Sequence, residues 1–360
     1  MDRLRVGVIG CGVISAIYLK NCTTLFPEIE VAAVADLLPE RAAARQAEFR
    51  LPRACSVAEL LSDRSIHVVL NLTIPRAHYE ITRAALEAGK HAYGEKPLST
   101  ELMQGEALAA MAAKRGLLLG SAPDTFLGAG IQTCRALMDE GSIGRPVGGT
   151  AFMIMGGHES WHPDPGFYYQ KGGGPLFDMG PYYLTALVSL LGPVAAVGAI
   201  ARKGFEERTI TSEPLRGTRI PVEVPTHVVS LLDFENGASV VMVMSFDAPG
   251  GTSHNPMEIH GTEGTLLVPD PNTFGGPVRM RRAGSKEWTD VPLRFGYAEN
   301  SRGLGLADMC RAVTGGGGHR ASGSLALHVL EVMHGMHVSS SSGKRYVIRH
   351  WCDRPEPLRS

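Results

Sequence analysis

A lysine placed where open α/β sheets bind their ligands is the first residue of this sequence that could do chemistry. Glu95-Lys96-Pro97 follows a short predicted strand that ends at Tyr93. Such sheets bind ligands at the carboxyl ends of their strands, where a lysine could polarise a hydroxyl group or exchange a proton. Because most lysines instead point into solvent, the residue types alone leave a catalytic and a structural interpretation of Lys96 equally open.

A carboxylate and a phenol form the second candidate group. Asp178 and Tyr182 lie four residues apart in a predicted helix that begins at Gly174, so their side chains would share one face and could converge on one hydroxyl. Helix statistics alone favour a different outcome, in which Asp178 caps the helix and Tyr182 packs in the core.

The segment before this helix, residues 161–173, suits a carbohydrate. It combines glycines with aromatic and hydroxyl side chains, and sugar rings stack on aromatic rings while their hydroxyls take hydrogen bonds. The predicted substrate contacts are Trp161, His162 and Tyr169, together with Lys96, Asp178 and Tyr182. Taken singly, His158 and His162 are weak candidates, and no residue spacing predicts a metal site.

A glycine-rich turn near the N terminus predicts a dinucleotide site that could accept a hydride. The apolar run Leu4–Ile9 leads into Gly10-x-Gly12-x-x-Ser15 and then into a helical pattern. Glycine permits the tight turn and lets backbone N–H groups approach a pyrophosphate at the helix N terminus.

Asp36 ends the second predicted strand and bears on the choice of dinucleotide. A carboxylate there can accept hydrogen bonds from the adenosine ribose and would repel a 2′-phosphate, which favours NAD over NADP. Capping of the next helix is an alternative and compatible role. Arg41 and Arg45 follow on that helix, so use of NADP stays possible.

Small and polar residues at the end of the third predicted strand, 68–72, could line the dinucleotide channel. Pro75 could instead only start the next helix, and His78 could be a surface histidine. The predicted cofactor-binding set is Gly10, Gly12, Val13, Ile14, Asp36, Arg41, Thr73, Ile74, Pro75, His78, Glu95, Lys96 and Pro97.

The order of elements predicts an α/β protein with two domains. Strands alternate with helices up to Ser121, which indicates a doubly wound parallel sheet. Strands then dominate and turn signals such as Glu235-Asn236-Gly237 join them, which indicates a large, mainly antiparallel sheet. We therefore predict a dinucleotide-binding domain over residues 1–122 and a substrate-binding domain over residues 123–360.

Composition points to a small-molecule partner. The chain has 360 residues, 35 Lys and Arg against 36 Asp and Glu, and a formal net charge of -1, so nothing favours nucleic acid or an anionic membrane. Six scattered cysteines without a CxxC motif predict reduced thiols and no structural zinc. No signal sequence or membrane span is evident, and a cytoplasmic location is expected.

Three motifs in this order resemble the glucose-fructose oxidoreductase / inositol dehydrogenase / MocA family. They are Gly10-x-Gly12-x-x-Ser15, Glu95-Lys96-Pro97 and Gly172-Gly173-Gly174-x-Leu176-x-Asp178-x-Gly180. The resemblance implies an N-terminal Rossmann domain and a C-terminal α/β domain whose open sheet forms homodimers or homotetramers. It also implies oxidation or reduction of sugars and polyols with NAD or NADP.

The resemblance assigns roles to three residues. Lys96 would lie near the reacting hydroxyl, with Pro97 often cis, and Asp178 would orient the sugar. Many members carry histidine where this chain has Tyr182. A phenol has a pKa of about 10 and a neighbouring ammonium lowers it, so Tyr182 would exchange the hydroxyl proton while Lys96 tunes it. In the main variant, Lys96 itself is the base.

The leading hypothesis is therefore an NAD-dependent dehydrogenase that acts on an aldose, a polyol or a glycoside. A glycosidase that reduces and reoxidises NAD within one turnover is the first alternative. A regulator that binds NAD without turnover is the second.

Overall fold

The protein, described here by a computed structural model over residues 3–358, forms two compact units. The first consists of the chain up to Leu127 together with Glu299–Leu330, and the second of Gly128–Ala298 together with the chain from Glu331 onward. The predicted boundary at residue 122 lies near the first crossing. The return of Glu299–Leu330 to the first unit was not predicted.

The first unit is built on a six-stranded parallel sheet with the strand order β3-β2-β1-β4-β5-β6. Its strands are β1 Leu4–Ile9, β2 Ile29–Ala35, β3 Ala54–Cys55, β4 Val68–Asn71, β5 His91–Gly94 and β6 Leu119–Ser121. Its helices are α1 Ser15–Thr24, α2 Pro39–Phe49, α3 Val57–Ser62, α4 His78–Glu87 and α5 Leu102–Arg115. The order reverses between β1 and β4, which confirms the predicted doubly wound fold, and open sheets of this kind bind ligands at such a switch point.

The central strands form because they are almost wholly apolar. β1 and β4 read LRVGVI and VVLN, and most of their residues are buried, as expected for a parallel sheet covered on both faces. The short β3 and α3 were not predicted. A local signal for α3 exists, since Ser56 and Glu59 form a capping box at its start.

The segment Glu299–Leu330 belongs to the first unit because buried hydrogen bonds tie it there. Asp124 Oδ2 accepts the backbone N–H groups of Gly303 at 2.8 Å and Gly305 at 3.0 Å. These glycines open α9, Leu304–Gly315, and a bridge joins Gly120 of β6 to Ser322. The next helix, α10 (Gly323–Ser342), contains the boundary at Leu330.

The second unit is built on a nine-stranded sheet with the order β16-β15-β14-β13-β7-β12-β11-β8-β17. Its strands are β7 Pro146–Ile154, β8 Val194–Arg202, β11 His227–Phe234, β12 Ser239–Ser245, β13 Met257–Gly261, β14 Gly264–Val268, β15 Val278–Arg282, β16 Thr289–Val291 and β17 Tyr346–Val347. A separate hairpin pairs β9 Glu207–Thr209 with β10 Arg219–Pro221. The first helices of the unit are α6 Ala129–Asp139, α7 Gly174–Asp178 and α8 Gly180–Leu191.

This sheet confirms the prediction of a mainly antiparallel arrangement, with one exception. β7 and β12 pair in parallel, whereas the other pairs described in the sheet are antiparallel. β8 was not predicted, because VAAVGAIAR is rich in alanine and glycine, which have low β-propensity. Burial alternates along β11, so one face of the sheet is packed and the other is open.

The single helix predicted from Gly174 is instead two helices. α7 ends at Asp178 and α8 begins at Gly180, with Met179 between them. Pro181 has no backbone N–H with which to continue the α7 ladder, and the N–H of Tyr182 reaches Met179 O at 3.1 Å. Asp178 and Tyr182 therefore lie on either side of a break and not on one regular helix.

Within residues 3–358, none of the helices combines the length and the apolar character needed to span a bilayer.

Candidate active site

The glycine turn after β1 has the shape that a dinucleotide requires. Gly10 adopts φ +103°, and a Cβ there would lie 2.5 Å from the carbonyl carbon of Leu72, so only glycine fits. A Cβ added at Gly12 would meet nothing within 4 Å. Gly12 therefore borders open space at the N terminus of α1, where backbone N–H groups favour an anion.

Asp36 is held beside this turn by backbone donors. Its Oδ2 accepts the N–H of Cys11 at 2.7 Å and its Oδ1 accepts the N–H of Leu38 at 2.9 Å. Leu38 is the residue that precedes α2. Asp36 therefore binds a backbone N–H group at the start of this helix, which agrees in part with the alternative that it caps the helix. An ionised carboxylate has about four acceptor positions, which leaves capacity for the ribose hydroxyls of NAD.

The two arginines on α2 differ in their surroundings. Arg45 donates from Nε to Ser15 Oγ and from Nη2 to Gly12 O, both at 3.0 Å. Arg41 is exposed. Arg45 thus stabilises the glycine turn through its bonds to Ser15 and Gly12. The sequence does not reveal this role, because the bonds join residues of two different elements.

Three apolar side chains are left exposed on the loops that follow β1, β2 and β4. Val13 is 90% exposed, Leu37 91% and Ile74 51%. Apolar surface beside a few fixed polar groups is typical of ligand sites. Val13 and Ile74 belong to the predicted cofactor set. Leu37 does not, although its position directly after Asp36 was a usable signal.

His78 is a buried connector. It is 2% exposed, its Nδ1 lies 2.6 Å from Pro97 O, and its Nε2 lies 3.0 Å from Thr73 O. Burial lowers the pKa of this imidazole, and the two carbonyls and the charge of Glu95 act against that shift. The surface alternative is thereby excluded, and the ring joins two segments of the predicted cofactor site.

Glu95 fixes the backbone of the lysine motif. It is 9% exposed, accepts the hydroxyl of Tyr18 at 2.7 Å and accepts the N–H of Lys96 at 3.1 Å. The Lys96–Pro97 peptide bond is cis. Lys96 is half-buried and lies two residues after the end of β5. The carboxylate is thus committed to Tyr18 and the loop backbone, and Lys96 is presented at the carboxyl edge of the sheet.

In the second unit, a histidine lies against the predicted substrate carboxylate. His158 Nε2 is 3.3 Å from Asp178 Oδ2, and the two side chains are 6% and 16% exposed. Tyr182 is 8% exposed. From the sequence alone His158 is a weak candidate, because nothing in the spacing of His158 and Asp178 shows that the two residues meet.

The predicted aromatic contacts differ in exposure. Trp161 is 58% exposed and Tyr169 is completely buried, while His162 is half-buried. The Tyr169 hydroxyl accepts the N–H of His158 at 3.3 Å. The assignment of Tyr169 to substrate binding is therefore corrected, since its ring supports the loop from inside the core.

Among residues 3–358, no group of three or more His, Cys, Asp and Glu side chains could hold a metal ion.

Known proteins resemble both units. Residues 4–122 match the oxidoreductase family model with an NAD-binding Rossmann fold, and residues 131–267 match the GFO/IDH/MocA C-terminal domain. The dTDP-3,4-didehydro-2,6-dideoxy-alpha-D-glucose 3-reductase of Streptomyces antibioticus is 32% identical over 320 residues, which cover 85% of this chain and 88% of the relative. Levoglucosan dehydrogenase of Pseudarthrobacter phenanthrenivorans is 27% identical over 291 residues, 74% of each chain.

A solved structure supports the fold. Levoglucosan dehydrogenase in complex with NADH and L-sorbose superposes with a TM-score of 0.82 at 23% identity, over 97% of this chain and 100% of that chain. The open space at Gly12 and the fixed carboxylate of Asp36 fit an NAD molecule in the first unit. The chain is therefore a member of the GFO/IDH/MocA oxidoreductase family, and its first unit is an NAD-binding Rossmann domain.

Proposed function

We propose that this enzyme is an NAD-dependent dehydrogenase that oxidises a carbinol carbon of an aldose, a polyol or a glycoside. The observation that carries the proposal is the geometry of the lysine motif. Glu95 is committed to Tyr18 and to the loop backbone, whereas Lys96 is a half-buried ionisable group at the carboxyl edge of the sheet. A cation in this position suits the stabilisation of an oxygen that gains negative charge.

Three side chains share the proposed work. NAD, when bound, supplies the acceptor of the carbinol hydride. Tyr182 takes the hydroxyl proton, Lys96 polarises the substrate oxygen and tunes the phenol, and Asp178 accepts hydrogen bonds from the sugar and orients it. In the variant with Lys96 as the base, Tyr182 only positions the hydroxyl.

The names of the relatives support a carbohydrate. They include levoglucosan dehydrogenase, inositol 2-dehydrogenase 3 of Saccharopolyspora erythraea and 1,5-anhydro-D-fructose reductase of Ensifer adhaerens. The exposed ring of Trp161 offers a surface on which a sugar could stack. Because some relatives are named reductases and others dehydrogenases, the reaction is to be assayed in both directions.

The test is the absorbance of reduced nicotinamide with purified enzyme, NAD or NADP, and a panel of levoglucosan, myo-inositol, aldoses and aryl glycosides. The proposal expects steady formation of NADH with one class of sugar. Sugar release from a glycoside without net NADH would instead establish the glycosidase. NAD binding without turnover in either direction would establish the regulator.

A further inference from the structure

A buried histidine in the second unit has no role in the chemistry described so far. His158 is 5% exposed. Within the part of the chain that the structure describes, neither of its ring nitrogens has a well-aligned hydrogen-bond partner. Buried polar atoms are normally paired, so this side chain calls for an explanation. Asp178 Oδ2 lies 3.3 Å from its Nε2.

Surrounding rings fix the plane of this imidazole. The Tyr168 ring lies 3.9 Å away between centroids, Phe246 lies 4.6 Å away edge-on, and Trp161 lies 5.2 Å away edge-on. Such packing restricts rotation about the side-chain bonds. The direction from Nε2 to the carboxylate is therefore set by apolar contacts, and it does not depend on the carboxylate itself.

The backbone of His158 is also supported, because its N–H donates to the Tyr169 hydroxyl at 3.3 Å. A Cβ on Gly157, which has φ +96°, would lie 2.4 Å from the Tyr169 hydroxyl. On the other side, Arg208 Nη1 lies 3.3 Å from Glu159 Oε1, and Arg208 also pairs with Asp247. The loop thus carries His158 on a supported framework, as the precise placement of a functional group requires.

The chemistry of the pair determines which group donates. An ionised carboxylate only accepts hydrogen bonds, so the nitrogen that faces Asp178 must carry the proton. Hydrogen bonds in a ligand-free site are often loose and tighten in the substrate complex. A short movement of the carboxylate would convert the contact of 3.3 Å into an aligned hydrogen bond.

We propose that His158 is the positioning residue of Asp178: its Nε2–H fixes the orientation in which this carboxylate meets the sugar. This inference rests on the proposed function, in which Asp178 orients the substrate. It adds a residue from the loop after β7 to the substrate machinery, and it predicts that His158 acts through Asp178 and not on the sugar directly.

The experiment is a double-mutant cycle on kcat/KM with the best sugar of the panel. His158→Phe keeps a ring among the three aromatic neighbours and removes the donor, and it should lower kcat/KM by about 10- to 100-fold. The Kd for NAD should not change. In the Asp178→Ala background the same change should cost no more than about twofold, because the oxygen that accepts the Nε2–H is gone.

A conservative variant separates positioning from packing. His158→Gln carries an amide N–H near the place of Nε2 and should retain kcat/KM within about fivefold, although it packs less well than phenylalanine. His260→Phe, a half-buried histidine on β13 with Nδ1 3.4 Å from Thr265 Oγ1, is the matched control and should leave kcat/KM unchanged.

Three outcomes would overturn the proposal. They are activity of His158→Phe within about twofold of the unaltered enzyme, additive losses in the double variant, and a loss in His158→Gln equal to that in His158→Phe. If His158→Phe does not fold, His158→Leu takes its place in the cycle. Absence of turnover by the unaltered enzyme would overturn the proposed function, and this inference with it.

Discussion

At the scale of single residues, Glu95 and Lys96 are neighbours with opposite surroundings. Glu95 points into the unit, where its carboxylate accepts hydrogen bonds from the Tyr18 hydroxyl and from a backbone N–H. Desolvation and this carboxylate raise the pKa of the buried Tyr18. Lys96 follows directly and is half-buried. Glu95 therefore has a structural role, whereas a catalytic role of the neighbouring Lys96 is a prediction.

Lys96→Met tests the assigned chemistry. The variant should lose turnover by at least about a thousandfold, because both the polarising charge and the tuning of Tyr182 disappear. The Kd for NAD, measured by fluorescence titration, should stay within about threefold. Turnover within a few fold of normal would contradict the role of Lys96. Tyr182→Phe distinguishes the two variants, since near-normal activity would make Lys96 the base.

What the sequence could not supply at this scale is contact between distant residues. The glycine turn and the lysine motif were visible because each is contiguous in the chain. The approach of His158 to Asp178 and the bonds from Arg45 to Gly12 and Ser15 join separate elements, and tertiary packing alone brings them together. Tyr169 was misassigned for the same reason, since the sequence around an aromatic residue in a loop does not show whether its ring is buried.

At the scale of elements, the turn between β1 and α1 separates two uses of glycine. Gly10 is required by the fold, because its φ is positive and a Cβ would meet the backbone of Leu72. Gly12 has neither constraint, and the space beside it is open. A glycine that the fold does not need is best explained by a ligand that approaches its backbone.

A matched pair of alanine variants tests this distinction. Gly10→Ala should lower the free energy of unfolding by about 3 kcal/mol, through strain and displacement of the backbone. Gly12→Ala should change that free energy by less than about 1 kcal/mol but weaken NAD binding by about tenfold or more. Urea denaturation and a titration with NAD measure the two quantities. Equal effects of both variants on stability would contradict the assignment.

Asp124, at the junction between β6 and α9, makes a pH-dependent contribution to the free energy of unfolding. Burial raises the pKa of Asp124 from 3.8 to about 6, although the N–H groups of Gly305 and Gly303 and the charge of Arg302 oppose the shift. The folded state therefore holds this proton more tightly than the unfolded chain does. The resulting stabilisation is complete below pH 3.8 and is lost as the pH rises to about 6.

The variant Asp124→Asn isolates this pH-dependent contribution to the free energy of unfolding. The amide oxygen can accept both N–H groups, as Oδ2 does now, and it brings no buried charge. The difference in the free energy of unfolding between the variant and the unaltered protein should shift in favour of the variant by about 2 kcal/mol from pH 4 to pH 7. Denaturation curves at several pH values measure it. Parallel pH profiles would show that Asp124 does not titrate in this range.

At the scale of the whole molecule, one face of the nine-stranded sheet remains apolar and open. Leu231 of β11 is 61% exposed and its cross-strand neighbour Val241 is 37% exposed. Val229 is likewise 37% exposed and pairs with Ile200, which is 60% exposed. Contiguous exposed apolar residues on adjacent strands mark an interaction surface. This face supports the homodimer or homotetramer predicted from the sequence, which stays a prediction, as does the cytoplasmic location.

Leu231→Glu tests the assembly. A charge at the centre of the apolar row should convert the oligomer to monomers, because burial of an unpaired carboxylate costs several kcal/mol. Light scattering coupled to gel filtration gives the mass. Leu25→Glu, at an apolar residue of the first unit that is 42% exposed, is the control and should leave the mass unchanged. A monomeric unaltered protein would contradict the predicted assembly.

The fold class could be predicted because periodicity and turn residues are local signals. The division of the chain could not, because the return of Glu299–Leu330 depends on Asp124 meeting two glycine N–H groups far along the chain. The parallel pairing of β7 with β12 was hidden in the same way. Local patterns specify elements, whereas partners distant in sequence specify the arrangement.

The discontinuity of the first unit has a consequence for protein synthesis. A nascent chain that has passed Leu127 carries the whole six-stranded sheet but lacks α9 and the N–H groups that Asp124 requires. The ribosome must then produce the entire segment Gly128–Ala298 before Glu299–Leu330 emerges. The NAD-binding unit therefore completes its folding only after the whole of Gly128–Ala298 has been made and Glu299–Leu330 has followed, and a stop before Leu330 would leave that unit unfinished.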